Sequence, residues 1–230
     1  VMIIFAVGSA SSIGEGVLNL LSKSNYKIIA TYNNKKPKLL KKHNIQTVKF
    51  NLNSTSQLKK IIKKYKLENN KILLINFAVV KNNKLLIDTK KSELNKSYKI
   101  NINGHVNLIK SFLPLMIKSN FGRIIHLSSS KVIEGEVGTS IYSLSKSYLY
   151  GFSASLAKEY GRFNITSNIL SLGYFRSKLW NELPLKIKKE RIKDIPSRKL
   201  GSLDNISNAI KFIINSDFVN KSVIKVDGGI

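Results

Sequence analysis

The amino-acid sequence predicts a doubly wound α/β fold, in which helices cover both faces of a seven-stranded parallel sheet. Seven short apolar runs are mostly continuous rather than alternating, which indicates strands that are buried on both faces. Segments with apolar residues at helical spacing separate these runs, as crossover helices separate parallel strands. The 230 residues, 43% of them hydrophobic, suffice for one sizeable core, so we expect a single domain over residues 1–230.

The predicted elements alternate along the chain. The strands are expected at residues 2–7, 26–32, 47–52, 71–79, 123–128, 165–172 and 222–227. The helices are expected at residues 12–22, 54–65, 92–118, 141–161 and 204–215. The second of these helices shows the pattern clearly, because Leu58, Ile61 and Ile62 recur at helical spacing and lysines occupy the other face.

Residues 173–200 form the one long irregular stretch between predicted elements. This segment is basic and interrupted by proline, and such stretches often close over a site. We interpret it as a candidate substrate lid, with Trp180, Leu183 and Leu185 as its apolar residues. The alternative is an ordinary surface segment with a few packed anchors.

The composition excludes several classes of protein. The chain has no cysteine, which rules out a disulfide scaffold and thiolate metal sites and favours a reducing compartment, so we expect a cytoplasmic protein. The apolar opening "MIIFAV" is too short for a signal peptide or a membrane span, and no later run approaches a spanning length. The histidines, His43, His105 and His126, are scattered without ligand spacing, so no metal site is expected.

The net charge of +26 has two explanations. One is a polyanionic partner such as a nucleic acid, and the other is a genome biased toward Lys, Asn and Ile codons. Only five of the 39 basic residues are arginine, whereas a surface that binds phosphates or bases would use the planar arginine fork more often. We therefore favour the compositional explanation and expect no nucleic-acid partner.

The turn after the first predicted strand has the features of a phosphate-binding loop. It has the sequence "GSASSIGEG", in which Gly8 and Gly14 supply permissive backbone at the start and the end. In a doubly wound sheet this turn lets the backbone approach a pyrophosphate, and the helix N-terminus favours the negative charge. We therefore predict a dinucleotide at this edge of the sheet.

The end of the second predicted strand bears on the choice of dinucleotide. An acid about 20 residues beyond the glycines binds a free 2′-hydroxyl and repels a 2′-phosphate. The stretch here is "TYNNKK", which has two amides and two ammoniums and no acid. We therefore predict NADP(H) in preference to NAD(H), with contacts from Asn33, Asn34 and Lys35. The alternative is that Lys35 and Lys36 merely belong to the lysine excess.

A tyrosine and a lysine four positions apart indicate an acid–base pair. On a helix, Tyr142 and Lys146 lie one turn apart on the same face. An ordinary tyrosine has a pKa near ~10, and a neighbouring ammonium lowers that pKa because it favours the phenolate. Ser129 precedes Tyr142 by 13 positions at the end of the fifth predicted strand, where its hydroxyl would hold a substrate carbonyl beside the phenol.

These motifs resemble those of the short-chain dehydrogenases/reductases in their compact, single-domain form, over almost the whole chain. "GSASSIG" is similar to the family's Gly-rich motif, "NFAV" to its Asn-Asn-Ala-Gly and "NING" to its helix Asn. "GRIIHLSS" and "YSLSK" are similar to its Ser and Tyr/Lys elements. "NITSNILSLGYFRS", "IPSRKLGSLDNISNAIKFIINSD" and "IKVDGG" are similar to its C-terminal third. The resemblance implies a Rossmann-like fold and an active oxidoreductase.

The resemblance also implies a catalytic tetrad and a set of cofactor contacts. Tyr142 would donate the proton, and Lys146 would lower its pKa and bind the nicotinamide ribose. Ser129 would orient the carbonyl, and Asn101 would hold a water in the proton relay. The implied cofactor-binding residues are Gly8, Ser9, Ser11, Ser12, Ile13, Gly14, Asn33, Asn34, Lys35, Asn51, Leu52, Asn76, Ala78, Tyr142, Lys146, Gly173, Phe175 and Ser177.

Several positions depart from the family pattern. Val7 stands where the family has Thr before the first glycine, Ser12 replaces the middle glycine, and Val79 replaces the last Gly of Asn-Asn-Ala-Gly. Asn51 replaces the acid that meets the adenine amino group, although its amide oxygen is also an acceptor. These departures bear on cofactor affinity and substrate subclass rather than on the chemistry.

The patterns most resemble those of 3-oxoacyl-[acyl-carrier-protein] reductases, which implies NADPH-dependent reduction of a small-molecule or carrier-bound carbonyl. Lys158, Arg162 and Arg123 would then meet an acidic carrier. One alternative is a reductase or epimerase-like enzyme of sugar or polysaccharide metabolism. Another is a non-catalytic protein that binds a cofactor or nucleic acid. An apolar pocket near Trp180 would favour an acyl substrate, and a polar pocket a sugar.

The helix that carries the acid–base pair also bears on assembly. Tyr148, Tyr150, Phe152 and Leu156 follow Lys146 along it. The resemblance implies that this helix is buried against a second subunit. We therefore expect a homo-oligomer, a dimer or a tetramer.

Overall fold

Seven parallel strands form one sheet in the part of the chain that the computed structural model describes, residues 1–40, 42–176 and 178–230. Of Lys178 and Leu179 only the backbone is described. The strands are β1 (Met2–Val7), β2 (Lys27–Tyr32), β3 (Ile45–Lys49), β4 (Lys71–Asn76), β5 (Gly122–Ser129), β6 (Ile165–Leu172) and β7 (Val223–Val226). Neighbouring strands are all parallel, in the order β3-β2-β1-β4-β5-β6-β7, which confirms the predicted fold class.

Helices cover both faces of this sheet. They are α1 (Ser12–Leu21), α2 (Thr55–Lys64), α3 (Lys91–Ser97), α4 (His105–Lys118), α5 (Lys131–Glu134), α6 (Ser140–Tyr160), α7 (Lys178–Asn181), α8 (Leu185–Asp194) and α9 (Leu203–Asn215). Apolar residues of α2, α4 and α6 pack on the face that carries Phe5, and those of α1 and α9 pack on the face that carries Ile4. Within the described residues, no helix has the length and apolar character needed to cross a membrane.

Two strands end three residues earlier than the sequence predicted, and side chains bond to the backbone just beyond each of them. β4 ends at Asn76 rather than at residue 79, since the Asn76 side chain accepts the N–H of Ala78 at 2.9 Å and turns the chain out of the sheet. β3 ends at Lys49 rather than at residue 52. Beyond it, the N–H of Asn51 donates to the side chain of Gln57 in α2 at 2.9 Å.

Two longer segments also differ from the prediction. The helix expected at residues 92–118 consists of α3 and α4 joined by a π-helical segment, Tyr98–Gly104, and such segments are frequent at functional sites. Residues 173–200 are not irregular, because they contain α7 and α8. Pro184 directly precedes α8 and Pro196 follows it, which suits the limits of that helix.

The sheet has its topological switch point between β1 and β4, and the two chain segments that leave these strands touch there. Gly8 has a φ of 69°, and a Cβ at this position would lie 2.4 Å from the backbone nitrogen of Ala78. The N–H of Ser9 donates to the carbonyl of Thr31 at 2.9 Å, which ties the same turn to β2. In doubly wound sheets, ligands bind at this switch point, outside the carboxyl ends of the strands.

Candidate active site

Helix α6 and the tip of β5 bring the predicted acid–base residues together. Tyr142 and Lys146 lie one turn apart on α6, and the Ser129 hydroxyl at the end of β5 is near the Tyr142 phenol. Tyr142 and Ser129 line a cleft of about 380 Å³ at the carboxyl edge of the sheet. Lys146 lines a separate, much smaller cavity together with Asn76 and Asn101.

The electrostatic coupling of this pair differs from the expectation. Burial raises the pKa of Tyr142, and the hydrogen bond from Ser129 opposes that rise. The predicted lowering of the Tyr142 pKa by Lys146 is therefore wrong for this arrangement, because desolvation outweighs it and the Lys146 ammonium donates to the carbonyl of Leu127 at 2.8 Å. Burial and repulsion from Lys81 lower the pKa of Lys146 to about 8.

Asn101 joins the loop after β4 to helix α6. It lies in the π-helical segment, where its amide donates to the Val80 carbonyl and accepts the Val80 N–H, both at 2.8 Å. The same amide donates to the Ser145 hydroxyl at 2.9 Å, next to Lys146 in the chain. Its backbone carbonyl accepts the phenol of Tyr148 at 2.9 Å, a contact that the sequence did not reveal. The water expected on Asn101 stays a prediction.

The turn between β1 and α1 fits a pyrophosphate. Ser11 caps α1 by accepting the Gly14 N–H at 3.0 Å. Gly14 is buried, and a Cβ there would lie 2.8 Å from the Ser11 hydroxyl oxygen. Within the described residues, no acceptor is found for the N–H groups of Ser12 and Ile13 in the first turn of α1. An anion at this helix end would meet both donors and the positive end of the helix dipole.

The remaining predicted cofactor residues divide into exposed and enclosed groups. Asn33, Asn34 and Lys35 are exposed just past β2. Asn51 is exposed, and its side-chain oxygen accepts the Asn53 N–H at 3.0 Å. Ser9 is fully buried with its hydroxyl donating to the Ala6 carbonyl, so that only its backbone can face a ligand, and Leu52 is part of the core.

The carboxyl ends of β4 and β6 supply the other predicted contacts. The Asn76 amide is held between the N–H of Ala78 and the Nδ1 of His105, each within 3.0 Å. Gly173 and Phe175 line the cleft beyond β6. Ser177, the last predicted contact, lies outside the described residues.

Four buried side chains form a hydrogen-bonded chain behind the active site. His105 Nε2 lies 3.0 Å from His126 Nδ1, and His126 Nε2 lies 2.9 Å from the Ser167 hydroxyl. Ser167 in turn contacts the Ser153 hydroxyl of α6 at 3.0 Å. Two histidines that are scattered in sequence are thus brought together. No cluster of metal-ligating side chains is found among the described residues.

Burial keeps both histidines neutral. Desolvation, with repulsion from Lys146 as the smaller cause, lowers the pKa of His126 to about 3. Desolvation, followed by His126 and Lys146, lowers the pKa of His105 well below its usual range.

One wall of the cleft is charged, and the sequence motifs did not indicate the residues that form it. Lys81, Lys131, Glu136 and Arg191 all line the space that contains Ser129 and Tyr142. Lys131 follows Ser129 by two positions, which was a usable signal. No local pattern places Arg191 there, because it comes from α8, about 60 residues beyond Lys131 in the chain.

Arg123 and Leu185 do not have the surface roles that the sequence predicted for them. Arg123 is only 2% exposed and donates to the backbone carbonyls of Gly122 and Asn164, so it is unavailable to an acidic carrier. Leu185 is 75% exposed and does not line the cleft, whereas Trp180 and Leu183 do.

The comparisons with known proteins agree with this geometry. A family described as enoyl-(acyl carrier protein) reductase matches residues 7–230. The 3-oxoacyl-[acyl-carrier-protein] reductase FabG of Buchnera aphidicola subsp. Baizongia pistaciae (strain Bp) is 31% identical over 231 residues, covering 96% of this chain and 94% of that protein. Carbonyl reductase family member 4 of Xenopus laevis is 28% identical and covers 97% and 95%. The structure of ElxO with NADP bound has a TM-score of 0.85 at 22% identity, covering 99% of this chain and 98% of that one.

The buried histidine pair predicts a pH-dependent stability. Both histidines are neutral in the folded protein, whereas in the unfolded chain they bind protons below pH ~6.5. The free energy of unfolding should therefore fall as the pH decreases from 7 to 5.5, and the slope for each histidine should approach a limit of about 1.4 kcal/mol per pH unit. Urea denaturation across this range measures the slope. His126→Gln should reduce this slope by the contribution of one histidine. His43→Gln, at an exposed position, is the control. Equal slopes in the two variants would contradict the prediction.

Proposed function

The chain belongs to the short-chain dehydrogenase/reductase family of NAD(P)-dependent oxidoreductases, and on this basis we propose that it reduces a carbonyl to an alcohol with NADPH as the hydride donor. The observation that carries the proposal is that Ser129 and Tyr142 both line one cleft, beside a phosphate-binding turn. Two hydroxyls on one wall can bind the same carbonyl oxygen from two directions.

The proposed mechanism assigns one task to each polar side chain. NADPH, when bound, supplies the hydride to the carbonyl carbon. Ser129 donates a hydrogen bond that orients the carbonyl oxygen, and Tyr142 gives its proton to that oxygen. The raised pKa of Tyr142 keeps the phenol protonated at neutral pH, as a proton donor requires. Lys146, one turn further along α6, is proposed to bind the nicotinamide ribose.

The dinucleotide is proposed to lie across the switch point, with its pyrophosphate on the first turn of α1. Gly8, Ser12, Ile13 and Gly14 would hold the phosphates through the backbone. Asn33, Asn34 and Lys35 would face the adenosine ribose, and their amides and ammonium favour a 2′-phosphate. The solved ElxO structure with NADP bound supports this choice of cofactor.

A 3-oxoacyl thioester, carried by an acyl carrier protein or free, is the proposed substrate class. The names of the relatives support it, as does the apolar side of the cleft, which Trp180 and Leu183 line. Lys158 and Arg162 are exposed near the end of α6 and remain available to an acidic carrier. Residues 173–200, with α7 and α8, are the proposed lid over this cleft in a single catalytic domain of residues 1–230.

We also propose that the protein is a cytoplasmic homo-oligomer. Three apolar side chains near the edge strand β7 are exposed: Phe212 of α9 (51%), Val223 of β7 (45%) and Phe218 of the connection between them. An exposed apolar patch beside a sheet edge is typical of a subunit interface. Light scattering should therefore give a mass of at least twice 25.9 kDa, and a monomer would contradict the proposal.

Tyr142→Phe tests the reaction. Loss of the phenol should lower kcat by about a hundredfold or more, since a positioned general acid contributes at least that much, while NADPH affinity stays within about twofold. An NADPH-oxidation screen over acetoacetyl thioesters, ketosugars and simple ketones measures turnover, and fluorescence titration measures binding. Tyr150→Phe, on the same helix but outside the cleft, is the matched control.

Full activity in Tyr142→Phe would end this assignment of the proton donor. Wild-type protein that binds NADPH but reduces none of the three substrate classes would favour a non-catalytic role. Reduction of ketosugars alone would favour an enzyme of sugar metabolism.

Cofactor preference is tested by removing the two ammoniums after β2. Lys35→Gln combined with Lys36→Gln should lower the ratio of kcat/KM for NADPH over NADH about tenfold, because the 2′-phosphate loses its cationic partners. The control, Lys59→Gln with Lys60→Gln on the exposed side of α2, makes the same charge change outside the stretch that follows β2. A tenfold preference of the wild type for NADH would overturn the proposal.

A further inference from the structure

We propose that the cleft contains a subsite for an anionic group of the substrate, a carboxylate or a phosphate, formed by Lys81, Lys131 and Arg191 beside Tyr142. The inference rests on the proposed carbonyl reduction, but it favours ketones that carry a negative charge close to the reacting carbon over the neutral 3-oxoacyl thioester proposed above. The side chains that support it lie in the same cleft as the Ser129 and Tyr142 hydroxyls.

Two of the three cations in this cleft share one carboxylate. Glu136 binds Lys131 through one oxygen, and its other oxygen accepts from Arg191 at 3.0 Å. The cationic groups of Lys131 and Arg191 also lie 5.0 Å and 5.5 Å from the centre of the Tyr174 ring. The Glu136 carboxylate and the Tyr174 ring therefore hold both cations on the wall of the cleft. Lys81, the third cation, brings the net charge of the four side chains to +2.

Lys81 supplies the charge that Glu136 does not pair. Its ammonium lies 6.0 Å from the centre of the Tyr142 ring, and no carboxylate of the described residues pairs with it. Lys81 lies at the exposed rim of the cleft. Partial desolvation and, to a smaller extent, repulsion from Lys131 lower the pKa of Lys81, and attraction to Glu136 only partly opposes this. An anion in the cleft would relieve this repulsion, because it would sit among three cations.

The general lysine excess does not account for this cluster. Excess lysines produced by a biased composition are expected on freely solvated surface, where they cost little. The Lys131 and Arg191 side chains are only 23% and 29% exposed, and they come from separate elements, α5 and α8. Collecting like charges in a half-enclosed space costs free energy unless an anionic partner offsets it.

The position of Lys81 limits where the anionic group sits. Because the ammonium is close to the Tyr142 ring, a carboxylate or phosphate bound to it would be only a few bonds from a carbonyl held by Tyr142 and Ser129. Short oxo acids and phosphorylated ketoses satisfy this requirement. The phosphate of a long carrier arm does not.

Matched ketone pairs test the subsite at constant ionic strength and saturating NADPH. The carboxylate pair is acetoacetate and methyl acetoacetate, and the phosphate pair is dihydroxyacetone phosphate and dihydroxyacetone. In at least one pair, the wild type should favour the anionic member in kcat/KM by about tenfold or more, and the better pair identifies the anion. Lys81→Met should remove most of that preference, whereas Lys81→Arg should retain it because the charge remains.

Lys60→Met is the control for the long-range field of the protein, since it removes one positive charge from the exposed face of α2. An equal loss of preference in Lys60→Met and Lys81→Met would overturn the subsite. So would a wild type that reduces neutral members as well as anionic ones, although carbonyl reduction itself would stand.

Direct binding separates a failed subsite from a failed enzymatic assignment. Calorimetric titration of the protein–NADPH complex of Tyr142→Phe with acetoacetate and with dihydroxyacetone phosphate needs no turnover. Weaker binding by about tenfold upon adding Lys81→Met supports the subsite even if no ketone is reduced. Unchanged binding of both anions overturns it.

Discussion

The close approach of two backbone segments at the switch point determines the rest of the site. Gly8 lies so near the nitrogen of Ala78 that no side chain fits between them, and this contact aims the N-terminus of α1 across the end of β4. The Asn76 side chain bends the chain just beyond that contact, and Asn101 then holds the following residue, Val80. Asn101 also bonds Ser145 of α6, so the phosphate-binding turn and the acid–base helix are connected through hydrogen bonds.

Desolvation acts on the acid and the base of this site in opposite senses. It raises the pKa of Tyr142 and lowers that of Lys146, since burial disfavours whichever form carries the charge. The phenol therefore keeps its proton at neutral pH. The cations of the cleft wall, Lys81 among them, add to the field that would stabilise a phenolate.

Most of the fold and the central residues of the site were predictable from local sequence. The continuous apolar runs located the strands, because strand burial is a local property. The spacing of Tyr142 and Lys146 placed them one turn apart on a helix, because helix periodicity is local as well. The cleft wall was not predictable, since Lys131 and Arg191 meet only after α8 folds over the sheet edge. The sign of the Tyr142 pKa shift also failed, because a sequence does not reveal how deeply a phenol is buried.

The buried chain behind the active site has a fixed direction. Asn76 must turn its oxygen to the N–H of Ala78, so its NH₂ faces His105, which then carries its proton on Nε2 and passes the same polarity to His126 and Ser167. If one histidine carried its proton on the other ring nitrogen, two donors or two acceptors would face each other in the buried chain. Substitutions at His105 and His126 are therefore expected to occur in concert, because a change at one of them alone would break the chain of hydrogen bonds.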